Sequence, residues 1–594
     1  MVALLQNPFK ANGRKIKIND LNLKIGGEAG FGIMASGLIF AKAVNRAGLS
    51  TFGYVEYPSL VRGGHNTYQI KVTSKPYFAP EKQVDLLIAL NKNTVDVDGA
   101  NLGPFSGVIF NDEEFKLESS EFEKKNVFLY PVPLEKIATE VGGGKLVVNT
   151  VALGAALALV GLDFQYLSSV LTNTFRQKGE QVVNLNIKSA RGGYDYVREK
   201  YADHFSFKLE KLDGPPKFVM SGNEAIALGA IAAGCKMYVS YPMTPSSSIL
   251  HYLADHQLKA DMIVKHCADE IEAIDMAIGG SFAGVRTAVG TSGGGFALMA
   301  ESYGLAGILE TPLVVINVQR PGPATGMPTW TGQPDLDFVM YAGQDEFPKI
   351  IIAPGDPAGA FYGTAQAFNL AAEYQTTVMI LSDKFLGESI YGTEEFDTNK
   401  IKIEEGGILS ESELLNTENY KRYEFTETGV SPRSLPGQKS GKYVANSYEH
   451  DEFGFVSEDP DNRVSMMTKR MKKLVTASNG LPGPTLYGEV EAKITLVGWG
   501  SSKGPILKAL DLLKQEGISA NFLHFVYISP FPIEATAKIL SSAKKTLICE
   551  GNYTGQLARL IREKTGIEIK RGLLKFDGRP FYPEEIAKAA KEAV

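Results

Sequence analysis

The chain has 594 residues, of which 44% are hydrophobic and 22% charged, a size and composition that predict about three to four soluble domains. Its 61 basic residues are nearly balanced by 67 acidic ones, so no basic surface is expected for nucleic acid or for an anionic membrane. Apolar runs fall short of the roughly 18 residues of a membrane span, and the first residues lack the order of a signal peptide. Three scattered cysteines suit neither a disulfide framework nor an iron–sulfur cluster. These features predict a cytoplasmic α/β protein without a metal site of its own.

The first block, residues 15–205, is predicted to be an α/β domain. It opens with the strand Leu21–Ile25 and the loop GGEAGFG (Gly26–Gly32), followed by a helix through Ala47. Interleaved helical segments favour a doubly wound layout. The further strand-like runs are Thr51–Tyr57, Thr67–Val72, Val84–Ala89, Val108–Asn111 and Val127–Val132. The Gly-Pro-Pro that follows can continue neither a helix nor a central strand, and it therefore predicts a linker.

Two more α/β blocks follow. The second, 215–398, has strands rich in Val and Ile between Gly- and Ala-rich helices, at Met237–Ser240, Thr287–Gly290, Leu313–Asn317, Lys349–Ala353 and Val378–Ser382. Residues 399–482 are charged and dotted with Ser and Thr, so they are predicted to be a connecting segment with little core of its own. The third block, 483–594, predicts a βαβαβα unit with right-handed crossovers. Its strands are expected at Ile494–Val497, Ala520–Val526 and Thr546–Cys549.

Two glycine-rich loops lie between a strand and a helix, where backbone N–H groups can meet a phosphate. In GGEAGFG the glycines Gly27, Gly30 and Gly32 have the wrong spacing for a dinucleotide fingerprint. That loop is either a tight structural turn or a site for another phosphate-bearing ligand, with dinucleotide binding least favoured. In GTSGGG (Gly290–Gly295), successive glycines permit close approach of a ligand, or of a neighbouring backbone in a tight turn.

Two proline-containing loops follow strands of the second block. In YPMTPSS, which begins at Tyr241, two prolines restrict the backbone around Thr244, while Ser246 is predicted to cap the next helix. Arg320 opens the loop RPGPATGMPTWTGQPDL at the end of a buried strand. An arginine there suits bidentate binding of a carboxylate, and an interface ion pair is an equally good interpretation.

The segment Cys267–Gly284 predicts a helix with one carboxylate on an apolar stripe. Glu270, Ala273, Ile274 and Ala277 share one face at positions i, i+3, i+4 and i+7. An apolar setting raises the pKa of a carboxyl group and lets it share a proton with a basic ring nitrogen. The alternative is a charge at the helix start that the helix dipole favours.

These motifs occur in one order, and that order is more specific than any single motif. The chain resembles the α subunit of 2-oxoacid:ferredoxin oxidoreductases, in the form in which a γ-type α/β domain is fused ahead of the α domain. GGEAGFG and PSLVRGGHN resemble the γ domain, whereas YPMTPSS, DEIEAIDMAIGGSFAG, GTSGGG and QRPGPATGMPT resemble the thiamine diphosphate pyrimidine-binding domain. GWGSSKG, ISPFP and EGNYTGQL resemble the transketolase C-terminal-like domain. The family's Pro-Ile-Thr-Pro core reads Pro-Met-Thr-Pro here, which keeps Thr244.

The resemblance implies a role for each matching residue. Glu270 corresponds to the glutamate that hydrogen-bonds the aminopyrimidine ring of thiamine diphosphate and favours its imino tautomer, so that the cofactor can attack the 2-oxoacid and act as an electron sink when CO₂ leaves. Thr244 and Arg320 correspond to residues that contact the substrate, with Arg320 pairing with its carboxylate. Further cofactor contacts are implied for Tyr241, Pro242, Thr291, Ser292 and Gly293. Contacts with coenzyme A are implied for Gly27, Gly30, Gly32 and Arg62.

Half of the active site is expected to come from another chain. The sequence lacks the GDG motif, with its downstream Asn, that holds Mg²⁺ in thiamine enzymes, and it lacks a four-cysteine cluster site. The resemblance therefore implies a β subunit that carries the diphosphate-binding domain, the Mg²⁺ and a [4Fe-4S] cluster. The expected assembly is a heterodimer or a dimer of heterodimers with ferredoxin as partner.

The implied reaction is the coenzyme A-dependent oxidative decarboxylation of a 2-oxoacid with electrons passing to ferredoxin, or its reversal as CO₂ fixation. The closing GLLKFDGRPFYPEEI resembles the 2-oxoglutarate subgroup, which favours 2-oxoglutarate as substrate and succinyl-CoA as product. Pyruvate or a broad range of 2-oxoacids remains open. A non-redox thiamine enzyme and a non-catalytic regulatory protein on a degenerate thiamine fold are the alternatives. The γ-type block argues against the first, and the joint presence of Glu270, Thr244 and Arg320 argues against the second.

Overall fold

The computed structural model describes residues 16–59, 63–202 and 204–594. They form two compact units: the first contains the described residues up to Met220 together with Ser389–Glu395, and the second contains Ser221–Glu388 and Phe396–Val594. Among the described residues no single helix is long and apolar enough to cross a membrane, although the bent pair Leu134–Glu140 and Gly144–Leu159 passes on length and composition together. The same residues contain no cluster of three or more His, Cys, Asp or Glu side chains placed to hold a metal ion.

The first unit is built on an eight-stranded sheet. With strands numbered in chain order, the strands of the unit, including two that lie outside this sheet, are β1 (Lys17–Ile18), β2 (Asp20–Glu28), β3 (Ser50–Glu56), β4 (His65–Thr73), β5 (Val84–Ala89), β6 (Leu102–Asn111), β7 (Phe128–Val132), β8 (Phe207–Lys208), β9 (Phe218–Ser221) and β16 (Ile390–Thr393). Its helices are α1 (Ile33–Arg46), α2 (Lys92–Asp98), α3 (Ser119–Glu123), α4 (Leu134–Glu140), α5 (Val148–Leu159), α6 (Phe164–Phe175) and α7 (Glu180–Tyr201). The sheet order is β7-β6-β5-β2-β4-β3-β16-β9, and β1 and β8 pair separately.

This sheet is only partly doubly wound. Strands β2, β5, β6 and β7 are parallel neighbours, as the sequence pattern predicts. Strand β4 instead runs antiparallel to both β2 and β3. The chain between β3 and β4 is too short for a crossover helix, and a short connection can join only antiparallel neighbours.

The second unit begins with a seven-stranded sheet. Its strands are β10 (Met237–Ser240), β11 (Ile263–His266), β12 (Thr287–Thr291), β13 (Leu313–Gln319), β14 (Lys349–Ile352), β15 (Thr377–Asp383) and β20 (Tyr527–Ser529). The surrounding helices are α8 (Gly222–Ala232), α9 (Ser247–Ala260), α10 (Glu270–Phe282), α11 (Gly293–Ile308), α12 (Leu336–Tyr341), α13 (Pro357–Tyr374) and α14 (Lys384–Glu388). The order is β11-β10-β12-β13-β15-β14-β20, parallel except for β20, which the third block contributes antiparallel to β14.

The third block forms a five-stranded sheet in the same unit. It contains the predicted βαβαβα run, together with two further strands of the sheet and a last helix that the sequence pattern did not predict. Its strands are β17 (Thr485–Gly488), β18 (Ile494–Trp499), β19 (Ala520–Phe525), β21 (Thr546–Glu550) and β22 (Gly572–Leu574), in the order β17-β19-β18-β21-β22. Its helices are α17 (Lys503–Gln515), α18 (Ile533–Ser542), α19 (Gln556–Thr565) and α20 (Pro583–Ala593).

The connecting segment contains α15 (Glu411–Leu415) and α16 (Pro460–Ser478), which the sequence pattern did not predict. Helix α16 is held to the second unit by buried ion pairs: the Nζ atoms of Lys469 and Lys473 lie 2.6 and 2.5 Å from the carboxylate of Glu310. Burial alone would raise the pKa of Glu310, but the two lysines keep it well below its usual range. Removing either lysine would leave a buried charge partly uncompensated.

Candidate active site

The predicted site residues of the second unit lie at one edge of the seven-stranded sheet. Strands β10, β12 and β13 are parallel, so their carboxyl ends meet there, where open α/β sheets bind ligands. Tyr241 directly follows β10, Thr291 ends β12, and Arg320 directly follows β13.

Glu270 is a buried carboxyl group with one free oxygen. It is the first residue of α10, after Asp269, whose side chain caps the helix by accepting a bond from the Glu272 N–H at 2.8 Å. Glu270 is 3% exposed, and the stripe that it shares with Ala273, Ile274 and Ala277 is buried as predicted. Burial raises its pKa, and its Oε1 has no hydrogen-bond partner among the described residues.

Glu270 faces the start of α11. A Cβ added at Gly295 would lie 2.6 Å from Oε1 of Glu270 and 2.2 Å from Oγ1 of Thr291, so only glycine fits there. The sulfur of Met243 accepts a bond from the Gly295 N–H at 3.2 Å. The structure therefore brings Glu270, Thr291, Met243 and the GTSGGG loop together, as a glycine-dependent close approach.

The structure also joins Arg320 to Thr244. Nη1 of Arg320 donates to the Thr244 carbonyl at 2.6 Å. This bond fixes the guanidinium beside YPMTPSS, and burial lowers its pKa. The capping prediction for Ser246 is wrong: α9 begins at Ser247 as expected, but the Ser246 hydroxyl donates to the Met243 carbonyl at 2.7 Å, because Ser246 already has helical dihedral angles.

The remaining predicted cofactor residues differ in their surroundings. Ser292 is fully buried, and its hydroxyl has no partner within the described ranges. Gly293 begins α11, and a Cβ there would lie 2.4 Å from Oδ2 of Asp335. Tyr241 is 37% exposed with its ring 6.3 Å from that of His266, and Pro242 is half-buried.

Sequence reasoning missed Asp335 and Asn317. Asp335 lies near the end of the loop that Arg320 opens, and Nδ2 of Asn317 donates to its Oδ2 at 3.1 Å. Burial raises the pKa of Asp335 to about 6, and Arg320 opposes part of that effect. Asn317 is fully buried, with Oδ1 unpartnered in the part of the chain that the structure describes. Asp335 lies in the same motif as Arg320, RPGPATGMPTWTGQPDL. An acidic residue in a loop that begins with an arginine was the sequence signal that could have identified it.

The loop that carries Arg320 and Asp335 is attached to the third block through Gln333. Nε2 of Gln333 donates to the Trp499 carbonyl at 3.0 Å, and its backbone N–H donates to the Gly551 carbonyl at 2.7 Å. Gly551 belongs to EGNYTGQL, whose Glu550 is fully buried and accepts bonds from the side chains of Trp499 and Asn552 and from the first turn of α19. The third block thus positions the loop that carries Arg320 and Asp335.

In the first unit, the GGEAGFG loop borders a separate cavity. Gly30 and Gly32 line a cavity of about 350 Å³ together with Phe31, Leu146 and Asn149. Both glycines have positive φ angles, and a Cβ at Gly32 would lie 2.5 Å from Nδ2 of Asn149. Gly27 does not line the cavity, since it packs against Phe31, Ile33 and Leu90. Arg62 lies outside the described residues.

A buried ionic cluster, also missed at the sequence level, lies beside Gly26. Nε2 of His65 is 2.8 Å from Oδ2 of Asp98, and Nζ of Lys24 is 2.6 Å from its Oδ1. Burial would raise the pKa of Asp98, but His65 and Lys24 hold it below its usual value. A Cβ at Gly26 would lie 3.1 Å from the His65 ring, so the cluster supports the strand that leads into the glycine loop.

Each of the three blocks matches a known protein-family model. Residues 22–196 match the family model described as pyruvate ferredoxin/flavodoxin oxidoreductase. Residues 228–469 match pyruvate flavodoxin/ferredoxin oxidoreductase, thiamine diP-bdg. Residues 492–586 match pyruvate:ferredoxin oxidoreductase core domain II. A thiamine diphosphate-binding family domain therefore covers the edge that holds Glu270, Thr291 and Arg320.

Full-length relatives agree. A 2-oxoacid:ferredoxin oxidoreductase subunit alpha from Sulfolobus sp is 34% identical, covering 96% of each chain. The 2-oxoglutarate oxidoreductase subunit KorA of Mycobacterium tuberculosis is 28% identical over 99% of this chain and 93% of that protein. Among solved structures, 2-oxoglutarate:ferredoxin oxidoreductase from Magnetococcus marinus, with 2-oxoglutarate, coenzyme A and succinyl-CoA bound, has a TM-score of 0.90 at 31% identity and covers 97% of this chain and 99% of that chain. The resemblance inferred from the motifs is confirmed: the chain belongs to the α-subunit family of the 2-oxoacid:ferredoxin oxidoreductases.

Proposed function

We propose that this α subunit, with a β subunit, catalyses the coenzyme A-dependent oxidative decarboxylation of 2-oxoglutarate to succinyl-CoA and passes the electrons to ferredoxin. The observation that carries the proposal is the buried, unpartnered Oε1 of Glu270 at the carboxyl edge of the sheet. A buried polar atom without a partner is costly unless a ligand supplies one. An aminopyrimidine ring nitrogen is a group of the right chemistry.

The residues at this edge fit thiamine diphosphate. Glu270 would hold the ring nitrogen, the missing side chain of Gly295 leaves room against the carboxyl, and the free hydroxyl of Ser292 offers a further polar contact. The cofactor supplies the electron sink for decarboxylation. Glu270 would share a proton with the ring nitrogen, and burial raises the pKa of its carboxyl group, which favours the protonated form.

Thr244 and Arg320 would bind the 2-oxoacid. The Thr244 carbonyl holds one arm of the guanidinium, which orients the group before substrate arrives and reduces the entropy lost on binding. A planar guanidinium pairs well with a carboxylate. Asp335 lies near enough to interact with Arg320 electrostatically, so its proton would affect how strongly Arg320 attracts an anion.

The choice of 2-oxoglutarate as substrate rests on the similarity of this chain to proteins that bind it or are named for it. The solved Magnetococcus marinus enzyme holds 2-oxoglutarate, and the Mycobacterium tuberculosis relative is named for it. A second candidate, a broad-specificity or pyruvate enzyme, is supported by the Sulfolobus relative, which is named only for 2-oxoacids.

The partners follow from the same proposal. A β subunit would carry the diphosphate-binding domain, Mg²⁺ and a [4Fe-4S] cluster, and two such α–β pairs would form the assembly in the cytoplasm. Gly30 and Gly32, which line the 350 Å³ cavity, are the favoured contacts for coenzyme A. Gly27 and Arg62, which belong to the two motifs that resemble the γ domain, are the other two proposed contacts. Physiological direction, oxidation or CO₂ fixation, would depend on the potential of the ferredoxin pool.

The test is anaerobic reduction of a viologen dye by the complex that a tagged form of this chain captures from its native cells. The complex is supplied with coenzyme A and, in separate reactions, with 2-oxoglutarate, pyruvate and other 2-oxoacids. Reduction confined to 2-oxoglutarate supports the first candidate, and comparable rates with several 2-oxoacids support the second. A complex that contains thiamine diphosphate and an iron–sulfur partner but reduces no dye with any 2-oxoacid would overturn both.

A further inference from the structure

A second cavity of the α domain lies at the opposite end of the sheet from Glu270. Its volume is about 570 Å³, and it is lined by Lys236, Thr287 and Leu313, which stand at the amino ends of β10, β12 and β13. All of its lining residues belong to the second unit. The volume falls within the roughly 300–1,000 Å³ of small-molecule sites.

The cavity has apolar walls. They come from the sheet, from α13 and from the connecting segment, which covers one side, and they include Val285, Leu313, Phe368, Ile403, Ile408 and Leu435. The covering segment is closely packed: a Cβ at Gly406 would lie 2.3 Å from the Ala372 carbonyl of α13. Such walls suit an apolar ligand body.

Two guanidinium groups line this apolar cavity. Arg433 is 7% exposed and donates to the carbonyls of Ser281 and Phe282 at the end of α10. Arg286 donates to the Glu404 carbonyl at 2.8 Å and to Oδ1 of Asn369 at 2.9 Å, while its buried Nε has no partner among the described residues. All of these acceptors are neutral.

Neither arginine therefore has a carboxylate partner of its own in the described part of the chain. Burial lowers the pKa of both, that of Arg433 to about 10. A buried cation without a counter-charge is costly. Glu405, which also lines the cavity, is exposed to solvent, and its charge opposes part of the effect of burial on Arg286. Lys236 pairs with Asp261 at 3.2 Å. The positive charge of the two arginines is thus compensated only in part, by one solvent-exposed carboxylate.

We propose that this cavity binds an amphipathic organic anion, with its carboxylate held by Arg286 and Arg433 and its apolar body against the walls. The site is separate from the catalytic edge, since the two lie at opposite ends of the same parallel strands. The proposal does not depend on which 2-oxoacid the enzyme uses.

The experiment measures binding of decanoate to the intact complex by isothermal titration calorimetry, with decanol as the uncharged probe. Two variants remove different parts of the site: Arg286→Gln removes charge, and Ile403→Glu places a carboxylate at a wall position that is 50% exposed. Arg562→Gln is the matched control, because Arg562 is an exposed arginine of α19 paired with Glu568. Arg433 is left intact, since its deep burial makes misfolding a risk. Size-exclusion chromatography, with the subunit content of the eluted complex, confirms that each variant assembles.

The expected result is saturable binding of decanoate at one equivalent per α subunit, with decanol at least about tenfold weaker, a difference of about 1.4 kcal/mol. Arg286→Gln and Ile403→Glu should each weaken decanoate binding by a similar factor, whereas Arg562→Gln should not. Absence of saturable binding to the wild-type complex overturns the proposal. So does equal affinity for decanoate in the wild type and in both variants, or an equal loss in the Arg562→Gln control. All of these outcomes are independent of turnover, so they leave the proposed function to its own test.

Discussion

Replacing Glu270 by Gln tests the assigned role most directly. Gln has the same size, and Oε1 makes no protein hydrogen bond that the change could remove. Loss of a buried, raised-pKa carboxyl should not weaken folding. What disappears is the proton that Glu270 would share with the cofactor ring. Positioned proton transfer contributes about 10²- to 10⁴-fold in rate, so kcat should fall by that factor, or by about 3–5 kcal/mol in activation free energy.

The assay is coenzyme A-dependent viologen reduction by the purified complex, with subunit content and thiamine diphosphate content measured on the same preparation. Asp275→Asn provides the control, because Asp275 is exposed on the same helix and its substitution likewise replaces a carboxyl group by an amide. We expect Asp275→Asn to retain wild-type kcat. An unchanged kcat in Glu270→Gln, with cofactor bound at the wild-type level, would refute the role of Glu270.

Three further predictions follow from single contacts. Arg320→Ala removes the predicted carboxylate partner, so the apparent KM for the 2-oxoacid should rise roughly 30-fold, about 2 kcal/mol, and an unchanged KM in steady-state assays would contradict its placement. The native state holds the Asp335 proton to about pH 6, whereas the ordinary pKa is 3.8; stability should therefore fall as pH rises through that window. Urea unfolding of Asp335→Asn should show no loss of unfolding free energy over this pH range. Above about pH 6 the variant should be more stable than the wild type by up to about 3 kcal/mol. A steeper pH dependence of stability in the variant would contradict this. Lys469→Met removes one of the two lysines that pair with the buried Glu310, so the unfolding free energy should fall by about 3–5 kcal/mol. In the control, Lys472→Met, the substituted lysine is exposed, and the unfolding free energy should change by less than about 0.5 kcal/mol.

Local patterns were sufficient to predict many elements of the second and third blocks. Strand β10 spans the predicted residues Met237–Ser240, and β19 begins at Ala520 as predicted. These strands are short apolar runs bounded by Gly, Pro or polar residues, so the signal is contained in the sequence itself. The apolar stripe of Glu270 is a second example, because helical spacing alone places its members on one face.

Local patterns do not reveal burial that depends on distant partners. The alternating run Leu21–Ile25 is typical of a half-exposed strand, yet every residue of it is buried. Lys24 is buried because Asp98 neutralises it, and Asn22 because Asp85 and neighbouring carbonyls bind it. Those partners are about 60 or more residues away in the chain, beyond the reach of any local period. Helix α16, whose buried lysines pair with Glu310, escaped prediction for the same reason.

The sequence by itself determined the family, the order of the three blocks and the residue types that carry the chemistry, because each motif is a contiguous run with its own spacing. Only the tertiary structure decided which of these residues meet. It joined Arg320 to the Thr244 carbonyl, placed Asp335 against Gly293 and attached their loop to the third block through Gln333. It also placed Arg286 and Arg433 beside the second cavity, where both donate hydrogen bonds to neutral acceptors. Such contacts depend on the register of parallel strands and on packing between blocks, which bring together positions that are far apart along the chain.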